Sequence, residues 1–510
     1  MKDFSKDDLV IGVVGAGTMG RGIAQIAAAA NLTVLWYDAT EKQTQAGIQF
    51  VHRMLDRLVE KGKIPRDLCQ RHKARIVVKQ DLNDLKEADV VVEAIFEDAG
   101  AKQELFRQLE DVVSEECILA SNTSSIPISS LASAARVPSR IAGLHFFNPI
   151  PLMKIVEVVS GIRTSRAVAD QLVRLGERMG HYAPRIIDSP GFLVNHAGRG
   201  YGLEALRIQS EGIASPAEID RILRDCVGFK MGPFELLDLI GIDVTHSVME
   251  SIYNLFYHEP RYKPSVLTRM YKDAHMNGKK TGKGFYDYDA AGKLIPVPDQ
   301  VFPDGTAAPI WVGIQEEDAR QAVMAILEKS NYRIDANRTP GDGAICLMAP
   351  LGEDATNCAL RHGLPPGRTV ALDTIVGIKE RVCLMASPVV DRKLLYFVCH
   401  AFLKAGHWVS LINDSCGFVV QRVLANIVNV SCDIAQQRVA EPEDINRAVK
   451  LGLGYPMGSL EFGDVIGPAK ILEILDKMHD FYKDPRYRPS PWLKRRAMLG
   501  VSLCTKENLI

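Results

Sequence analysis

Gly15, Gly17 and Gly20 follow the apolar run Leu9 to Val14 and lead into the run Arg21 to Ala30, so the sequence predicts a strand, a glycine turn and a helix in succession. This spacing belongs to dinucleotide-binding βαβ units. The first glycine permits the tight turn, the second lets the backbone approach a pyrophosphate, and the third lets the helix pack on the strand. The phosphates then lie at the helix N-terminus. Thr18 and Met19, inside the turn, are expected cofactor contacts together with the three glycines. Asp38 closes the next apolar run, eighteen residues after Gly20. A carboxylate at that strand end can bind a ribose diol and would repel a 2′-phosphate, so NAD is expected in preference to NADP.

Past Asp38, a charged helical stretch (41 to 62) precedes short apolar runs at Ile76 to Val78, Val90 to Ala94 and Ile118 to Ala120, with helical patterns between them. That alternation is βαβ and predicts a parallel sheet. Two more runs, Arg140 to Phe146 and Ile155 to Val159, complete the sheet before a break at Asp188, Ser189 and Pro190. From there to about residue 290 the pattern is helical.

An internal repeat follows. Asp-Ser-Pro-Gly-Phe-Leu-Val-Asn from Asp188 recurs as Asp-Ser-Cys-Gly-Phe-Val-Val-Gln from Asp414, an offset of 226. The register holds for about fifty residues: Pro216, Gly228, Met231, Gly232, Asp238 and Gly241 fall on Pro442, Gly454, Met457, Gly458, Asp464 and Gly467. After a one-residue deletion, Pro260-Arg261-Tyr262 falls on Pro485-Arg486-Tyr487. Between the copies the chain reads α/β without a glycine fingerprint, and Arg381 to Ser415 looks like a shortened echo of Arg140 to Ser189 that lacks the histidine. The predicted fold is therefore an α/β Rossmann-type NAD-binding domain (1–187), an all-α helical domain (188–290), a degenerate Rossmann-like segment that binds no dinucleotide (291–413) and a second helical domain (414–510).

Gly-Leu-His-Phe-Phe-Asn-Pro (143–149) and Met-Lys-Ile-Val-Glu-Val-Val (153–159) place His145 and Glu157 on consecutive runs near the carboxyl edge of the sheet, where open α/β sheets bind ligands. With the glycine motif, Ser121-Asn122-Thr123-Ser124-Ser125 and the Asp-Ser-Pro-Gly-Phe helix start, the chain resembles the 3-hydroxyacyl-CoA dehydrogenase family over residues 9 to 288, and the repeat carries the likeness to the C-terminus. The resemblance implies NAD-dependent oxidation of an (S)-3-hydroxyacyl-CoA thioester. His145 would be the base, its ordinary pKa of ~6.5 suiting proton transfer in both directions, and Glu157 its orienting partner. Ser124 would bond the substrate oxygen and Asn195 would help hold the acyl group. Singly, a Ser in such a turn and an Asn near a helix start often satisfy only backbone groups.

For the cofactor, the resemblance adds Glu97, Lys102, Asn122 and Lys280. Glu97 and Lys102 could instead be an exposed ion pair of small worth. Arg53, Arg57 and Lys61 share a helical face that could meet CoA phosphates or be ordinary solvated surface, so no CoA contact is carried over. Arg199, four residues after Asn195, should look from the same helix face toward the acyl pocket and pair there with a distal carboxylate, making the substrate a dicarboxylyl thioester such as 3-hydroxyadipyl-CoA. A local acid such as Glu204 is the competing partner. The duplicated layout and this arginine resemble the branch of the family that acts in phenylacetate degradation, with 3-hydroxybutyryl-CoA as the simpler substrate of the same chemistry.

In the second copy Gln421 stands where Asn195 stands in the first, without a catalytic histidine, so one active site per chain is expected. The family's simpler members dimerise through the helical domain. The two copies are therefore expected to pack as an internal pseudo-dimer, leaving a monomer or a homodimer through other surfaces. With 61 basic and 62 acidic residues in 510 the chain has no global field for nucleic acid or an anionic membrane. Its ten cysteines show neither zinc nor disulfide spacing, pointing to a reducing cytoplasm and no metal. The stretch Leu9 to Ala30 holds five glycines and Arg21, unlike a signal or membrane segment, and with only residues 1 to 8 ahead of the glycine-motif strand no upstream hydratase domain is expected. Two other readings are a dehydrogenase of a free hydroxy acid and an NAD-binding scaffold without turnover.

Overall fold

A computed structural model describes residues 2–5 and 8–507. The chain divides into two compact units, residues 1–196 with 437–453, and residues 197–436 with 454–510.

The first unit is built on eight strands: β1 (Val10–Val14), β2 (Thr33–Tyr37), β3 (Ile76–Lys79), β4 (Val90–Glu93), β5 (Ile118–Ser121), β6 (Ile141–Phe146), β7 (Val156–Ser160) and β8 (Arg185–Ile187). They lie in the order β3-β2-β1-β4-β5-β6-β7-β8. Ile11, Val13, Val34, Trp36, Val90, Val92, Ile118 and Ala120 are fully buried, which is why these strands read as continuous apolar runs. The order reverses between β1 and β4, and the glycine turn lies beside that crevice, leading into the helix Thr18–Ala29.

The sheet departs from the all-parallel expectation at one pair. β7 runs antiparallel to β6, with His145 opposite Glu157. The link from Asn148 to Ile155 is too short for a right-handed crossover, so the chain folds straight back. β8, absent from the sequence reading, then adds parallel to β7. Three residues are too few to register as an apolar period.

The second unit holds six strands: β9 (Ile310–Val312), β10 (Ile334–Asp335), β11 (Ile345–Met348), β12 (Thr369–Leu372), β13 (Arg381–Ala386) and β14 (Trp408–Ile412), ordered β10-β9-β11-β12-β13-β14. Among the described residues its ladder reverses at β12 against β13, followed by β13 parallel to β14. β12, β13 and β14 thus repeat β6, β7 and β8. The expected match of Arg381 to Arg140 is accordingly corrected: β13 takes the place of β7, and β6 has its counterpart in β12. Both β6 and β13 open with an arginine before an apolar run, which draws the comparison to the wrong strand. Asp188 and Asp414 keep their equivalence, since Asp188 accepts from Ile128 N and Ser129 N at 3.1 and 2.7 Å, and Asp414 from Ala355 N and Thr356 N at 2.7 and 3.2 Å.

Within the second unit the helix Arg199–Ser210 of the first helical copy packs along Val419–Gln436 of the second. Gly200 sits at the crossing, where a Cβ would stand 2.7 Å from Ile427 Cα. Arg422, fully buried there, pairs with Glu204 at 2.7 Å. Each sheet also receives a helix from the copy that does not follow it. In the first unit Ile187 N donates to Val439 O at 3.1 Å, and Arg447 from the helix Pro442–Gly452 stacks 3.9 Å from the Tyr182 ring centroid. In the second, Asn413 N donates to Ile213 O at 2.9 Å and Ser410 Oγ to Glu218 at 2.6 Å on the helix Pro216–Ile222. The two backbone bonds are images of each other under the 226-residue offset.

Candidate active site

Gly15 adopts φ 111°, and a Cβ on it would lie 2.4 Å from Ala94 O. One on Gly20 would lie 1.9 Å from Gly15 O, so both positions exclude any side chain. Gly17 differs. Its missing Cβ faces open space, with nothing within 4 Å, which is the close approach a pyrophosphate needs. A cavity of 680 Å³ opens here, lined by Gly15, Gly17, Thr18, Met19, Asp38 and Phe96 among others. Asp38 accepts from Ala16 N at 2.7 Å and Thr40 N at 2.8 Å, so its carboxylate is oriented by the backbone at the mouth of that cavity. These residues fit a dinucleotide with a free ribose diol.

Because β7 is antiparallel, the start of β7 and the end of β6 share one sheet edge, and Glu157 Oε2 lies 2.6 Å from His145 Nδ1. Both side chains are buried. Glu157 Oε1 accepts from Leu193 N at 2.9 Å and Val194 N at 2.7 Å. One carboxylate therefore orients the imidazole and pins the start of the next helix. With Nδ1 engaged, Nε2 is the nitrogen left to exchange a proton with a ligand. The rings of Phe147 and Phe192 lie 4.4 and 5.6 Å from the imidazole and hold it from the sides. Asn195 follows the pinned Val194 in the short helix Val194–Ala197.

Glu97 knots the neighbouring loop. Its Oε1 accepts from Thr123 Oγ1 at 2.7 Å, Ser124 N at 3.0 Å and Ser125 N at 3.1 Å. Burial alone would raise its pKa, but Lys102 and these donors outweigh it and hold the carboxyl below the usual range. Lys102 is 1% exposed, 2.5 Å from Glu93 and 3.3 Å from Glu97, which corrects the exposed-pair alternative. Sequence reasoning missed Glu93: fully buried at the end of β4, it also accepts from Ser121 Oγ at 2.6 Å. An acid closing an apolar run was the available signal. Asn122 Oδ1 accepts from Phe146 N at 2.9 Å and so ties this loop to the strand that carries His145.

Lys280 and Arg199 belong to the second unit. Lys280 pairs with Asp243 at 2.6 Å. The single helix expected to carry Asn195 and Arg199 is interrupted at Gly198, and Arg199 opens the second segment. Its Nη1 is buried, and burial, partly offset by Tyr455, pushes its pKa down to about 10. Glu204, the competing acid, is engaged by Arg422 and Tyr487. Arg53 and Arg57 are exposed on the helix Glu41–Glu60, and Lys61, also exposed, is its C-cap. In the second unit, Asp373 stands opposite Cys383, the positions that correspond to His145 and Glu157, and Gln421 Nε2 donates to Asp373 at 3.0 Å. Among the described residues there is no cluster suited to a metal ion and no helix long and apolar enough to cross a membrane.

Residues 10–188 match the family described as "3-hydroxyacyl-CoA dehydrogenase, NAD binding domain", and residues 191–288 and 417–502 match "3-hydroxyacyl-CoA dehydrogenase, C-terminal domain". The 3-hydroxyadipyl-CoA dehydrogenase of Escherichia coli (strain K12) is 36% identical over 494 residues, 96% of this chain and 97% of that protein. A probable 3-hydroxybutyryl-CoA dehydrogenase of Bacillus subtilis (strain 168) is 40% identical over 277 residues, 54% of this chain and 96% of its own. The crystal structure of 3-hydroxybutyryl-CoA dehydrogenase from Escherichia coli K12 superposes with a TM-score of 0.86 at 34% identity, covering 97% of this chain and 99% of that one.

Proposed function

The chain belongs to the 3-hydroxyacyl-CoA dehydrogenase family, and from that premise we infer how its residues divide the work of an NAD-dependent 3-hydroxyacyl-CoA dehydrogenase. The enzyme uses NAD to oxidise 3-hydroxyacyl-CoA to 3-oxoacyl-CoA. The observation that carries the assignment of roles is the buried His145–Glu157 pair at 2.6 Å on the sheet edge beyond the glycine turn. Bound NAD supplies the hydride acceptor. Gly15, Gly17, Thr18, Met19 and Gly20 would hold its diphosphate, Asp38 its ribose, and Glu97, Lys102 and Asn122 its nicotinamide end, with Lys280 a further candidate contact.

His145 Nε2 removes the C3 hydroxyl proton, and Glu157 stabilises the imidazolium that results, holding its charge in a buried site. Ser124 and Asn195 hold the substrate oxygen and the acyl group. The family's stereochemistry is S. Residues 1–187 carry the cofactor and 188–290 complete the substrate side, while 291–413 and 414–510 serve architecture, with Asp373 and Gln421 bonded to each other where the first copy has His145 and Asn195. The ten free cysteines fit a bacterial cytoplasm, and the packing of Arg199–Ser210 on Val419–Gln436 fits an internal pseudo-dimer that leaves the chain a monomer, or a homodimer through other surfaces.

The substrate assigned is 3-hydroxyadipyl-CoA. The relative named for the adipyl substrate matches along the whole chain, and an arginine in the helical domain that completes the substrate side has the fork geometry that suits a distal carboxylate. Arg199→Leu should raise KM for 3-hydroxyadipyl-CoA about tenfold or more, the worth of one charged bond, and spare 3-hydroxybutyryl-CoA. Equal loss on both substrates, measured as initial rates, would remove the dicarboxylyl assignment and leave the shorter acyl chain.

A further inference from the structure

The repeated Pro-Arg-Tyr motif places two arginines in pseudo-equivalent positions of the second unit, and their surroundings differ in charge. Arg261 is paired: Nη1 lies 2.9 Å from Asp433 and Nη2 donates to Arg488 O at 2.8 Å. Under the 226-residue offset the counterpart of Asp433 is Arg207, so the twin arginine, Arg486, meets a cation where Arg261 meets an acid. Arg486 is 7% exposed. Its Nε, like that of Arg261, is buried without a hydrogen-bond partner; the difference is that among the described residues no acid forms an ion pair with the Arg486 guanidinium as Asp433 does with Arg261. The charge-reversed site is also hollow. A cavity of 220 Å³ is lined by Arg207, Ser210, Lys263, Ser265 and Arg486 with apolar neighbours such as Leu203, and no carboxylate lines it.

We propose that this cavity binds a small oxyanion of the phosphate class. Arg207 shares its charge with Glu211 at 2.7 Å and Asp484 at 3.0 Å, which fixes its guanidinium. Lys263 and Arg486 supply the charge that remains. The helix Val266–Asp273 begins at the cavity wall, and its first-turn N–H groups add a positive end. A buried arginine without an acid is costly, so an oxyanion seated here replaces what Asp433 provides in the twin. The volume suits inorganic phosphate or a phosphomonoester end and is too small for a nucleotide.

The test is calorimetric titration of the whole protein with inorganic phosphate in chloride buffer, under saturating NADH so that the cofactor's phosphate cradle is filled. Saturable binding of one phosphate per chain is expected. Arg207→Asp recreates the charge pattern of the twin and should abolish it. Lys263→Ala, at an exposed residue, should weaken it about tenfold without unfolding the protein. Acetate as a second titrant separates a carboxylate preference from a phosphate one, and tighter acetate binding would overturn the phosphate assignment. No phosphate heat beyond that of sodium chloride, or unchanged binding in both variants, would overturn the site.

Discussion

Glu157 uses both carboxylate oxygens, one on His145 Nδ1 and the other on Leu193 N and Val194 N. Glu157→Gln keeps the shape but removes the charge that stabilises the imidazolium. The expected result is a fall in kcat of about a hundredfold with little change in KM, since the oxygen that receives the two backbone donors can be kept by the amide. A rise in KM with kcat intact would mean that the carboxylate serves binding. The His–Glu pairing was legible because each of the two residues interrupts one of two consecutive apolar runs, whereas the Glu93–Lys102 pair was not. Glu93 looks like the last residue of a strand, and only the fold shows that the lysine nine positions on returns to cover it.

At the scale of elements, the glycine turn separates two roles that the motif alone merges. Gly17→Ala places a methyl in open space, so the protein should fold as before and lose NADH affinity about tenfold or more. Gly20→Ala drives a Cβ into Gly15 O, so it should lose thermal stability as well. Fluorescence titration with NADH and a melting curve together read both, and equal melting points would contradict the distinction. The mirrored element in the second unit carries Asp373, whose carboxyl burial pushes up to about 6 against the bonds from Gln421 and Ile375 N. Between the ordinary carboxylate range and that value the native state keeps a proton that the unfolded chain has released. Stability should therefore fall as pH rises from about 4 to about 6, by roughly 2 kcal/mol. Asp373→Asn should flatten that slope in urea unfolding, and an unchanged slope would place the titration elsewhere. The repeat was visible from Asp414 onward because helix starts and glycines keep their spacing. The strand equivalence before it was misaligned because short buried strands share composition without landmarks.

For the whole molecule, the duplication supplies packing surfaces that require no second active site. The helices Arg199–Ser210 and Val419–Gln436 bury each other, and each sheet takes a helix from the opposite copy, as the paired bonds Ile187 N to Val439 O and Asn413 N to Ile213 O record. The 226-residue offset disclosed the duplication, but it carried no sign of this exchange, because covalent order says nothing about which copy covers which sheet. The account then requires a single active site per chain, centred on His145. It is tested most directly by following NADH oxidation with acetoacetyl-CoA and 3-oxoadipyl-CoA in the unaltered protein and in His145→Ala. The predicted result is turnover of both thioesters, faster with the adipyl substrate, falling about a thousandfold or more in the variant. Turnover that survives in His145→Ala would contradict the single-site account.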